Sequence, residues 1–70
     1  MHNNNSRPWP TSGAEVVALR EQAVLTQTEL AARMQIGQSA LSKIEASTKP
    51  PSRLMIERLG AALGMRFTVG

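Results

Sequence analysis

The sequence predicts a mainly α chain: four short helices followed by a short C-terminal β-strand. Three observations carry this. Apolar residues recur at helical spacing in four separate stretches. Capping or breaking residues bound those stretches. The last residues before Gly70 alternate instead, in β-favouring types.

Residues 1–11 read as a flexible arm. They are polar, carry a proline on each side of Trp9 and show no periodicity. The helical domain is expected over 12–64. Its first helix starts near Ser12 or Gly13 and runs to about Ala23. Val16, Leu19, Arg20 and Ala23 fall at i, i+3, i+4 and i+7, with Val16 and Leu19 as core. Arg20 is expected to lay its stem over that core with its charged head outside.

The second helix has a capping box at its start. In Thr26-Gln27-Thr28-Glu29 the Thr26 hydroxyl accepts from the Glu29 amide and Glu29 reaches back. Leu25 can staple onto Leu30, and Leu30, Ala31 and Met34 form the buried stripe. Gln35-Ile36-Gly37 is a tight turn. The third helix runs from Gln38 to about Ala46, with Leu41 and Ile44 inward and Ala40 small enough for close approach. Gln38, Ser39, Ser42, Lys43 and Ala46 face outward. Pro50 and Pro51 forbid its continuation. The fourth helix follows Ser52 as N-cap, buries Ile56, Leu59, Gly60 and Leu63, and stops at Leu63 with Gly64 beyond it. Residues 65–70 hold the strand, which needs a partner for its backbone groups.

A chain of 70 residues makes one small core of marginal stability. It has no cysteine, and its single histidine, His2, lies in the terminal arm, so neither a disulfide nor a structural metal is expected. No cofactor is implied. Helix packing with self-association is the remaining route to stability. No apolar run approaches the roughly 20 residues that cross a bilayer, and the Asn-rich start lacks the apolar centre of a signal peptide. A cytoplasmic protein without membrane contact is expected. The formal charge is +3, from 8 basic and 5 acidic residues. The excess lies in the second half: Lys43, Lys49, Arg53, Arg58 and Arg66 against Glu45 and Glu57. Clustered base of this kind is a footprint of nucleic-acid binding. No Ser/His/Asp grouping, carboxylate pair or phosphate-binding glycine loop points to an enzyme.

Two short helices joined by a tight turn describe a helix-turn-helix, whose second helix lies in the major groove. Leu30, Ala31 and Met34 oppose Ile36, Leu41 and Ile44 across the turn, as a shared core requires. The stretch Leu25–Glu45, LTQTELAARMQIGQSALSKIE, closely resembles the Cro/CI-type (XRE-like) helix-turn-helix family. Leu-Thr-Gln at 25–27, Glu-Leu-Ala at 29–31, Gln-Ser at 38–39 and Ile-Glu at 44–45 carry the resemblance, which extends over roughly residues 14–64. It implies a lambda-repressor-like four-helix domain. Two positions depart from the pattern. Gln35 stands where the family usually has Gly entering a left-handed turn, and Gly37 where Ser or Thr often caps the third helix; together they predict a slightly shifted turn, not its loss.

The resemblance implies roles residue by residue. Gln27 matches a phosphate-contacting glutamine, Gln38 and Ser39 match base readers, and Lys43 matches a further reader. Their chemistry agrees: Gln pairs with adenine, Lys donates to guanine and Ser is permissive. Ser42 is a further reader or phosphate contact. Lys49 and Arg53 suit phosphate neutralisation. Glu45 is expected to tie helices together. Trp9 has three open fates: exposure, folding back on the first helix, or docking into a partner.

The strand at the end resembles HipB- and HigA-type antitoxins, in which it pairs across a two-fold axis. The expectation is a homodimer burying Phe67 and Val69 and reading a palindromic operator in double-stranded DNA. The leading functional reading is a sequence-specific repressor, the autoregulating antitoxin of a toxin–antitoxin pair, with a toxin as second partner. Two others stand beside it: a stand-alone or prophage regulator, and a protein-interaction module for a toxin or kinase with DNA secondary.

Overall fold

The computed structural model describes residues 6–68. Among them the order is β1 (Ser6–Pro8), α1 (Gly13–Gln22), α2 (Gln27–Met34), α3 (Gln38–Ala46), α4 (Arg53–Leu63) and β2 (Arg66–Thr68). All four expected helices and the C-terminal strand are present.

Local chemistry sets most boundaries. Thr26 caps α2 with both halves of the capping box: its hydroxyl accepts from the Glu29 N–H at 3.1 Å, and the Glu29 carboxylate accepts from the Thr26 N–H at 2.8 Å. Ser52 caps α4 by accepting from the Met55 N–H at 3.3 Å. Gly37 caps α3 with no side-chain bond. Gln35 adopts the left-handed conformation at the end of α2 (φ 61°, ψ 42°), as does Gly64 after α4.

The capping box carries a pH dependence. The Thr26 backbone N–H, and then its hydroxyl, hold the Glu29 carboxyl below the usual carboxylate range. A depressed folded-state value makes this contribution complete above the ordinary carboxyl value. It is lost as pH falls through the lowered one. Denaturant melts of Glu29→Gln are therefore expected to lack that part of the acid loss, leaving a flatter stability curve than the wild type shows.

One core unites the helices. Val16, Leu30, Ala31, Met34, Leu41 and Leu59 are buried in a single cluster, with Leu19, Leu25, Ile36, Ile44, Met55, Leu63 and Phe67 packed against it. The α3 helix lies against α1 and α2, while α4 packs on α2 and β2. Close approach comes from Gly13 and not from Ala40, which is exposed. A Cβ on Gly13 would collide with the backbone carbonyls of Ile44 and Glu45, and the Gly13 N–H donates to Ser47 O at 2.9 Å. The start of α1 thus sits on the end of α3.

The arm departs from expectation. Ser6–Pro8 forms a strand parallel to β2, in the register Ser6↔Arg66, Arg7↔Phe67, Pro8↔Thr68. Trp9 N–H extends the pairing to Thr68 O at 3.2 Å, and Pro10 is fully buried. β2 therefore finds a backbone partner in its own chain. The helical domain is the crossover that parallel strands require.

Candidate nucleic-acid interface

Burial of Leu41, with Ile44 half-buried, fixes the rotation of α3. That rotation puts Gln38, Ser39, Ser42 and Lys43 on its exposed face. The four side chains expected to read bases therefore share one accessible surface.

Beneath them lies a chain of polar contacts. The Glu45 carboxylate accepts from Arg20 Nε at 2.8 Å and Nη2 at 3.4 Å, and from Gln27 Nε2 at 2.8 Å. Arg20 Nη1 also donates to Leu25 O at 3.0 Å. The paired side chains are only 17% (Arg20) and 5% (Glu45) exposed. The expectation of an outward Arg20 head is thus corrected: Glu45 reaches across from α3 and draws the guanidinium in. The hydrogen bond to Glu45 raises the Arg20 pKa against the opposing effect of burial, so the guanidinium stays charged. Glu45 ties α1, α2 and α3 together, the structural part expected of it.

This pair also orients the outer amides. A carboxylate only accepts, so Gln27 must turn its NH₂ inward to Glu45 and its carbonyl outward. That carbonyl accepts from Gln38 Nε2 at 3.3 Å. Gln38 is left with Oε1 as acceptor and a second Nε2–H as donor. These match the N6 donor and N7 acceptor that adenine presents in the major groove.

The other expected residues are less connected. Lys49 is exposed in the loop after α3, where its N–H donates to Ser47 Oγ at 3.0 Å. Arg53 pairs with Glu57 at 3.4 Å on the surface of α4. It also lines a groove of about 240 Å³ with Trp9, Ile56, Glu57, Gly60 and Phe67. The structure joins Gln27 to the α3 face and leaves Arg53 outside that network. Trp9 is half-buried and lines that groove with residues of α4 and β2. Phe67 is half-buried near Gly60, and Val69 lies outside the described residues.

Arg58 entered the sequence reading only as part of the basic excess, and its contact escaped it. From α4 its Nη1 donates to Met34 O at 3.2 Å and Gln35 O at 3.1 Å, at the turn between α2 and α3. No local pattern announces a contact across more than twenty positions.

A family model described as a helix-turn-helix domain matches residues 13–66. The chain belongs to the helix-turn-helix domain family. Neither a curated protein nor a solved structure matches it. In this helix-turn-helix, α2 and α3 form the pair, and the second helix of such a pair is the one that enters the major groove. The family thus makes the chain a DNA-binding regulator by type. Among the described residues no helix is long and apolar enough to cross a membrane, and no three His, Cys, Asp or Glu side chains gather to hold a metal ion.

Proposed function

We propose that this helix-turn-helix chain is a sequence-specific repressor of transcription. Its α3 reads base edges with Gln38, Ser39, Ser42 and Lys43, while Lys49, Arg53 and the Nε2–H of Gln27 that Glu45 does not use contact phosphates. The observation that carries the reading is the exposed α3 face whose first reader, Gln38, is held through Gln27 to the part-buried Glu45. Such pre-ordering lowers the side-chain entropy lost on binding.

The reading includes a homodimer. Among the described residues the sheet has two strands, and the β2 edge of such a sheet is a template for pairing with another chain. A second copy added at that sheet, beside Phe67 and Val69, would set two α3 helices about 34 Å apart on a palindromic operator. A monomer by sedimentation at tens of micromolar would count against it. The resemblance to HipB- and HigA-type antitoxins adds autoregulation and a toxin partner, for which Trp9 is the docking side chain. An adjacent reading frame whose product binds the purified protein is the check.

The central test is binding to a duplex of the upstream region, beside a scrambled duplex, across salt. Tight binding to the native duplex with weaker, salt-sensitive binding to the scramble is expected. Equal weak binding to both would overturn the repressor reading and favour a protein-interaction module.

A further inference from the structure

Two helices of this chain end in a left-handed residue that is not glycine. Val24 after α1 has φ 59° and Gln35 after α2 has φ 61°. Each turn is closed by the same paired bonds. Leu25 N–H reaches Arg20 O and Val24 N–H reaches Glu21 O; Ile36 N–H reaches Ala31 O and Gln35 N–H reaches Ala32 O. This is the Schellman arrangement, for which glycine is the usual left-handed residue. Gly64 supplies that residue after α4, where Met65 N–H reaches Gly60 O. A side chain in the left-handed region is strained, because its Cβ crowds the following carbonyl oxygen.

Both non-glycine turns carry a guanidinium on their carbonyls. Arg20 donates to Leu25 O in the first. Arg58 donates to Met34 O and Gln35 O in the second. The Schellman bonds satisfy Ala31 O and Ala32 O but leave the carbonyls of Met34 and Gln35 outside the helix ladder. Arg58 fills that gap with charge-assisted bonds, at the helix end that favours a cation. Only Ile36 and Gly37 separate Gln35 from α3, and Gly37 gives α3 no side-chain cap. The clamp therefore sits where the angle between α2 and α3 is set.

We infer that Arg58 is a positioning residue for DNA recognition: it holds the left-handed Gln35 turn from α4 and thereby sets the orientation of α3. The DNA part of this inference rests on the function proposed above; the clamp itself does not.

The test compares the whole chain with Arg58→Met, Arg58→Lys, Gln35→Gly and the double variant Arg58→Met/Gln35→Gly. Backbone amide shifts and hydrogen exchange over residues 35–41 report the turn directly. Binding to the upstream and scrambled duplexes reports recognition, at a temperature where circular dichroism shows each variant folded. Arg58→Met is expected to move the 35–41 amides and to weaken binding to the native duplex about tenfold. Binding to the scramble should weaken far less. Arg58→Lys, a point charge in place of a fork, should fall between. The double variant should regain most of the loss, because glycine needs no clamp at that φ; it also folds without the strain and so replaces Arg58→Met if that variant melts. Unchanged amides in Arg58→Met, or no recovery in the double variant, would overturn the clamp. Equal losses on both duplexes would show Arg58 to be a phosphate contact instead. If the wild type itself prefers neither duplex, the repressor reading fails, and the amide data still decide the clamp.

Discussion

Glu45→Gln is expected to lower the unfolding free energy by about 2–4 kcal/mol, because it leaves the Arg20 guanidinium without its anion in a largely desolvated site. The lower part of the range follows from the residual exposure of Arg20 and its second acceptor, Leu25 O. A single small core supplies only about 3–5 kcal/mol, so the variant should be close to its unfolding midpoint at room temperature. In a thermal melt the loss corresponds to a fall of about 8–30 °C. Replacing both partners by methionine tests the origin of the effect. Apolar side chains of similar volume relieve the unpaired charge, so stability should largely return. Specific DNA affinity should not return with it, because Gln27 then has no carboxylate to hold its amide toward Gln38. Recovery of both together would mean that the pair serves stability alone.

On the DNA side, Gln38→Ala and Lys43→Ala are each expected to cost about 1–3 kcal/mol of binding free energy and to relax preference at particular base pairs. Lys49→Ala should weaken all duplexes alike and reduce the salt slope by about one unit. Selection from randomised half-sites, with affinities taken at several salt concentrations, separates the two behaviours. A changed base preference in Lys49→Ala with none in Lys43→Ala would reverse the assignment of readers. The structure sharpens the expectation for Gln38. Its amide is oriented by Gln27, so Gln27→Ala should blur the preference at the base pair that Gln38 reads, an effect foreign to a phosphate contact acting alone.

Where the sequence reading succeeded, the decisive interactions were short in range. The capping box of Thr26 and Glu29, the Ser52 cap and the stop at Gly64 all join residues within a few positions of one another, whereas Gln35, where a slightly shifted turn is expected, takes the left-handed conformation itself. The α3 face was legible for a related reason. Burying Leu41 and Ile44 rotates a helix of known pitch, and the outward placement of Gln38, Ser39, Ser42 and Lys43 follows from that geometry.

The misreadings share the opposite property. Arg20 looks like a residue with its head in solvent, and only the approach of α1 to α3 lets Glu45 draw it into a part-buried pair. The strand Ser6–Pro8 carries a proline and no alternation, so nothing within it marks a strand until β2 lies beside it. Trp9, whose fate the sequence left open, lines a groove with residues of α4 and β2.

Thus the sequence by itself determined four helices, their caps and turns, the terminal strand and the outward face of α3, because helix periodicity and capping are local. The tertiary structure alone decided which helices touch beyond the α2–α3 pair. That choice created the Glu45 network, the Arg58 bonds to the α2 turn and the pairing of the two chain ends. Each of these depends on distances between residues far apart in the chain, which packing of the shared core sets and local propensity does not.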